Sequence, residues 1–133
     1  MIFLDSTAII ALGVQADEFH TSSVVWRTKK KNESFFLSNA IFIETMSWVR
    51  HHYGRQMAVA MGNYLFSSDD ITIERVTSDD EREAWALFQK IDGRGVSMVD
   101  CTSVIVMKRL KIKEIFSFDQ DFKKFGLTVV PKI

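Results

Sequence analysis

The feature that most constrains this chain is a repeated alternation of short apolar runs with longer helix-like stretches. Residues 1–4 (MIFL) stop at Asp5, and residues 34–37 (SFFL) stop at Ser38. Residues 71–76 (ITIERV) alternate as a strand should, and 115–118 (IFSF) and 128–130 (TVV) complete the set. Between them the pattern predicts helices over 7–12, 18–31, about 40–52, 55–66, 78–91 and 97–110, and a short one over 120–125. Strands this short and apolar, separated by helices, are buried on both faces in a parallel sheet. Right-handed crossovers then give a three-layer α/β/α sandwich, with a parallel sheet of four to five strands in a single domain over 1–133.

Local signals fit these elements. Ser38 and Asn39 are good caps for the helix that follows. Gly54 breaks that helix, Gly93 and Gly95 mark a loop, and Gly126 stops the short helix. The sequence Ser78-Asp79-Asp80-Glu81 reads as a capping box, and so does Ser97-x-x-Asp100. With 47% hydrophobic residues, including eleven Phe and three Trp, the chain can fill a core.

Seventeen basic and seventeen acidic residues cancel, so no global field draws the chain to nucleic acid or membrane, and such contact must be local. The one cysteine, Cys101, excludes an internal disulfide and a thiolate metal site, and reads as a small buried hydrophobe. The first residues carry no basic leader, and no apolar run reaches the length of a membrane span. These features predict a cytoplasmic protein without a membrane segment.

The chemistry lies in acids that the topology should gather. In an open parallel sheet, ligands bind beyond the carboxyl ends of the strands, where strand order reverses. Asp5 follows the first strand and Asp119 the fourth. Glu44 falls in the first turns of the helix leaving the second strand, and Asp100 in the first turn of the helix leading to the fourth. All four are expected on one rim. Each also has a plainer reading. Asp5, Ser6 and Thr7 can cap the first helix; Asp100 sits in its capping box; Asp119 and Asp121 can cap the helix after the fourth strand. Glu44, amid Ile41, Phe42, Ile43, Met46 and Trp48, is costly to bury without a partner. Four carboxylates in one cleft raise one another's pKa, and a divalent cation removes that conflict. All-oxygen ligands favour Mg²⁺ or Mn²⁺. The implied chemistry is phosphodiester hydrolysis by metal-activated water.

At these residues the chain resembles the PIN-domain family, and in particular the VapC-type toxins of toxin–antitoxin pairs. The matching segments are Ile2-Phe3-Leu4-Asp5-Ser6-Thr7-Ala8, Leu37-Ser38 through Ile43-Glu44, Val96-Ser97-Met98-Val99-Asp100-Cys101, and Phe116-Ser117-Phe118-Asp119-Gln120-Asp121-Phe122. The resemblance implies strand order 3-2-1-4-5, an Mg²⁺- or Mn²⁺-dependent endoribonuclease acting on RNA, a homodimer, and inhibition by a small antitoxin that pushes a peptide into the acidic cleft. It implies Asp5, Glu44, Asp100 and Asp119 as metal-binding acids, Asp121 as a fifth, and Ser6 and Ser97 as nearby hydroxyls.

The remaining features read as ordinary surface or core. Arg27 and Lys29 to Lys31 form a basic run, more often a solvated helix end than an RNA contact. Lys108, Arg109, Lys111 and Lys113 read as another solvated end. His20 reads as a surface residue, and adjacent His51 and His52 point in different directions and make no metal pair. Trp26, Trp48 and Trp85 read as core or dimer surface rather than as base-stacking platforms, and the helices around 48–66 are the expected dimer face. Two alternatives stand beside the ribonuclease: a catalytically silent PIN-like module that binds RNA or a partner, and a haloacid-dehalogenase-like phosphatase. The second needs another Asp two residues after Asp5, where this chain has Thr7.

Overall fold

The structure is a computed structural model that describes residues 1–132. Five strands form one parallel sheet: β1 (Ile2–Leu4), β2 (Phe35–Ser38), β3 (Ile71–Glu74), β4 (Glu114–Phe116) and β5 (Thr128–Val130), in the order β3-β2-β1-β4-β5. Strand order reverses between β1 and β4, whose register pairs Leu4 with Phe116. Helices α1 (Ser6–Gly13), α2 (His20–Lys29), α3 (Asn39–Tyr53) and α4 (Arg55–Ser67) connect the strands on the β3 side of β1. Helices α5 (Ser78–Lys90) and α6 (Met98–Leu110) carry the chain back from β3 to β4, and a short 3-10 helix (Gln120–Phe125) links β4 to β5. Right-handed crossovers put α1 to α4 on one face and α5 and α6 on the other.

The core follows from this arrangement. Phe3, Phe35 and Phe116, on three adjacent strands, are fully buried. Each such side chain contributes roughly 1.5–3 kcal/mol by leaving water. A separate small cluster of Ala84, Val96, Cys101 and Ile105 lies between α5 and α6, which confirms Cys101 as a buried hydrophobe. Among the described residues no helix is long and apolar enough to cross a membrane.

Several local expectations need correction. The first capping box is one residue earlier than its Ser78 reading. Thr77 Oγ1 accepts from Asp80 N (3.1 Å) and Asp80 Oδ2 accepts from Thr77 N (3.0 Å). Tertiary contact selects this register, because Arg109 donates to both oxygens of Asp80, to Glu74 and to the Arg75 carbonyl. Arg109 is therefore a brace between α6, α5 and β3, not a solvated helix end. Arg27 likewise leaves the basic run. It donates to Asp70 and Tyr64 and lies over the Phe35 ring, so it is not free for phosphate. His20 is half-buried, with Nδ1 2.8 Å from the Ala11 carbonyl. The strand expected over 71–76 ends at Glu74, and the one expected over 115–118 covers Glu114–Phe116. Ser117 still donates its backbone N–H to the Val130 carbonyl of β5 (3.1 Å), while its hydroxyl and the Phe118 N–H join the contacts described next.

Candidate active site

The site at the carboxyl edge of the sheet, at the β1–β4 boundary, draws on four chain segments, around Asp5, Glu44, Asp100 and Asp119. Asp5 directly follows β1, and its backbone N–H donates to the Phe116 carbonyl of β4 (3.1 Å). The side chain is only 2% exposed. Although Asp5 occupies the N-cap position of α1, its carboxylate makes no capping bond. Two hydroxyls hold it instead: Thr7 Oγ1 (2.8 Å) and Ser117 Oγ (2.7 Å) both donate to Oδ2. Those hydroxyls in turn accept backbone N–H groups. Phe118 N donates to Thr7 Oγ1 (3.1 Å), and Asp119 N donates to Ser117 Oγ (3.0 Å). Each chain runs from N–H to hydroxyl to carboxylate, so each bond polarises the next. Oδ2 is thereby saturated, and the Asp5 carboxylate is coupled to the backbone that carries Asp119.

Burial is the largest influence on Asp5 and raises its pKa; the Ser117 and Thr7 hydrogen bonds offset part of this, and the charge of Glu44 adds to it. Glu44, one turn into α3, is raised first by burial, then by Asp100, with the Ser6 hydroxyl opposing. Asp100 is pushed up to about 6, by burial first and then by Asp5 and Asp119, while its bond to the Ser97 backbone opposes. The four acids expected from sequence thus meet electrostatically on one edge. Helix α3, which starts there, approaches α6, which also starts there.

The plainer readings of the acids divide. Asp100 is a true capping residue: Ser97 Oγ accepts from Asp100 N and Asp100 Oδ2 accepts from Ser97 N, both at 3.0 Å. Asp119 caps the 3-10 helix through Asp121 N (2.9 Å). Asp5 is not a cap. Asp121 lies 3.3 Å from Lys124 Nζ, which occupies its carboxylate. Ser97 supports Asp100, and Ser6 stands beside Glu44. Thr7 and Ser117 are functional candidates that sequence reasoning missed. Their signal was available, since both are hydroxyl residues two positions from an acid at a strand end.

The donor set is all oxygen, and its acids share one electrostatic neighbourhood, which fits a hard divalent cation in chemical character. Among the described residues no three acid, His or Cys side chains already close round a single point. A cleft of about 350 Å³ adjoins Glu44, lined also by Ser6, Thr7, Trp48 and Phe118. A larger concavity, about 1000 Å³, lies elsewhere, between α1, α2 and α4, and includes none of the four acids.

Comparison with known proteins agrees with this architecture. The PIN domain family profile matches residues 2–127. The 23S rRNA-specific endonuclease VapC20 of Mycobacterium tuberculosis is 34% identical over 131 residues, covering 98% of each chain. The VapC ribonuclease of Aquifex aeolicus is 27% identical over 112 residues, 76% of this chain and 73% of that one. The crystal structure of M. tuberculosis VapC20, described as a Sarcin-Ricin loop cleaving toxin, superposes with a TM-score of 0.88 at 30% identity, over 96% of this chain and 97% of that one. FitAcB from Neisseria gonorrhoeae superposes with a TM-score of 0.71 at 18% identity, over 98% and 97%, which speaks to fold alone. On the profile match, the near-complete coverage and the shared strand order, this chain belongs to the PIN domain family.

Proposed function

We propose that this chain is a divalent-metal-dependent endoribonuclease, the toxin of a VapBC-type pair, acting in the cytoplasm as a single nuclease domain. The observation that carries the reading is the convergence of Asp5, Glu44, Asp100 and Asp119 on one sheet edge, with three of them raised in pKa by burial and by one another. Such a site costs free energy until a cation joins it. Asp5, Glu44, Asp100 and Asp119 would hold Mg²⁺ or Mn²⁺, with Asp121 joining on release from Lys124. A bound ion supplies a water of lowered pKa and offsets phosphodiester charge. Thr7 and Ser117 fix Oδ2 of Asp5, and so would hold its carboxylate in place for a bound ion. Ser97 fixes Asp100, and Ser6 orients Glu44.

The named activity of the M. tuberculosis relative makes 23S rRNA the first substrate to test. A small antitoxin and a second copy of this chain are the expected partners. The exposed Ile43, Val59 and Phe66 on α3 and α4 support the second copy, and the relatives' toxin names support the antitoxin. The phosphatase alternative finds Thr7 spent on holding Asp5.

The test is cleavage of 23S rRNA and of short RNAs by purified protein with Mn²⁺, with chelator, and with the Asp5→Asn variant. Metal-dependent cutting lost in the variant is expected. RNA binding without cutting, at every Mn²⁺ concentration, would replace the enzyme with the silent module.

A further inference from the structure

The cleft beside Glu44 has a chemistry unlike that of a phosphate channel. Glu44 and Trp48 lie one turn apart on α3 and both line it. Phe118 and Phe19 also line it and are stacked face to face, with centroids 4.2 Å apart and planes 6° from parallel. The Trp48 indole is held by His52, stacked at 3.9 Å, whose Nδ1 is anchored 2.9 Å from the Trp48 carbonyl. The rim carries Asp17 and Glu18. Asp17 spends Oδ1 on the Phe19 N–H (2.9 Å), which fixes the turn that presents Phe19. Among the described residues no Lys or Arg lines the cleft.

Asp17 and Glu18, with no Lys or Arg among the described lining residues, repel a phosphate at that end of the cleft. Fixed aromatic faces attract a flat ring, and carboxylates at the edge accept hydrogen bonds from ring N–H and exocyclic amine donors. A volume of about 350 Å³ is at the small end of ligand pockets and suits one planar group rather than a length of chain. Guanine is the base that offers two adjacent donors, N1–H and the N2 amine, to one carboxylate. Adenine and cytosine offer a single amine there, and uracil a single N–H.

We infer that this cleft is a nucleobase subsite, in which an unpaired guanine next to the scissile phosphate stacks against Trp48, rests against the Phe19–Phe118 pair and donates to Glu18. The inference rests on the ribonuclease reading and deepens it. Glu44 belongs to both the acid cluster and the cleft wall, so a base seated here places its neighbouring phosphodiester at the acids. The subsite selects for single-stranded RNA, because a paired base cannot present its Watson–Crick edge.

The first arm of the test needs no turnover. Guanosine, inosine, adenosine, cytidine and uridine are titrated into metal-free protein, and the three Trp indole N–H signals are followed by NMR, with Trp48 assigned from Trp48→Phe. Guanosine should shift the Trp48 signal at the lowest concentration. Inosine, which keeps N1–H and lacks the amine, should follow, and uridine should come last. Trp48→Ala should weaken guanosine binding roughly 5- to 100-fold, the range of one base–aromatic stack, and Trp48→Phe should retain most of it. Glu18→Gln should narrow the gap between guanosine and uridine about tenfold, one charge-assisted hydrogen bond. Melting curves verify that each variant is folded.

The second arm is RNA cleavage with Mn²⁺, where the Trp48→Ala loss should fall mainly on KM. If wild type cuts RNA while no nucleoside moves the Trp48 signal and Trp48→Ala cuts like wild type, the subsite is overturned and the ribonuclease stands. If nucleosides bind with the stated preference but no RNA is cut, the ribonuclease reading fails and the base site stands. If the Trp48 signal follows protein concentration and not nucleoside, the cleft is a contact between copies of this chain and the inference is wrong.

Discussion

Replacing Asp100 by Asn separates a capping carboxylate from a metal-binding one. Asn keeps the shape and one acceptor oxygen, so it can still receive the Ser97 N–H and preserve most of the capping box. What it removes is a charge that the fold disfavours. Asp100 is raised from its ordinary value to about 6, by burial first and then by Asp5 and Asp119. Such a displacement corresponds to roughly 3 kcal/mol, and partial exposure to solvent trims it to about 1–2 kcal/mol. The loss of a negative charge from a helix N-terminus costs about 0.3–1 kcal/mol in the other direction. Metal-free Asp100→Asn should therefore melt level with wild type or up to about 4 °C above it at pH 7.

The sign of the pH dependence follows from the direction of the shift. The folded state holds the Asp100 proton more tightly than the unfolded state, so this stability is fully present below about pH 4 and is lost as pH rises through about 6. Wild type should lose that increment between those limits, the variant should not, and the two should converge at the acid end. Burial pushes Asp5 and Glu44 the same way and steepens the wild-type curve. Mn²⁺ reverses the order. At a hundredfold excess over its dissociation constant an ion adds about 2.7 kcal/mol, and the variant should gain much less and cut RNA far more slowly. The assay is a set of melting curves from pH 4 to 8 with and without Mn²⁺, beside RNA cleavage. Equal Mn²⁺ shifts and equal cleavage rates in the two proteins would refute the reasoning and leave Asp100 a cap.

Other outcomes follow from the same contacts. Ser117→Ala strips one donor from the buried Asp5 carboxylate and leaves Asp119 N without its acceptor, so stability should fall roughly 1–3 kcal/mol and the Mn²⁺ shift should shrink, with Ser117→Thr restoring both; a denaturant midpoint and Mn²⁺ titration measure this. Arg109→Met leaves the buried Asp80 unpaired and should cost about 2–3 kcal/mol, read from the urea midpoint. Arg109 holds Asp80 below the usual carboxylate range, a stability present above that range and lost as pH falls, so the variant's deficit should shrink in acid. Light scattering at tens of micromolar should give a dimer, and a monomer there would count against the α3–α4 face.

The sequence by itself determined the class of fold and the acids. Short apolar runs such as MIFL and SFFL can be satisfied only by burial on both faces, and the helical stretches between them force a parallel sheet. Asp5, Glu44, Asp100 and Asp119 could be placed on one edge because each lies at the end of a strand or the start of a helix, positions that topology carries to the same rim. Side-chain commitments were beyond its reach. Arg109 and Arg27 looked like solvated charges because their partners Asp80 and Asp70 are 29 and 43 residues away in the chain. Thr7 and Ser117 looked like cap and strand residues, although they meet on one carboxylate across a separation of 110 residues. Thr77 took the capping box from Ser78 because Asp80, not Glu81, lies within reach of Arg109. Local propensity is written in neighbouring residues, whereas the partner of a buried charge is chosen by whatever the packed layers bring within about 3 Å. That choice belongs to the tertiary structure alone.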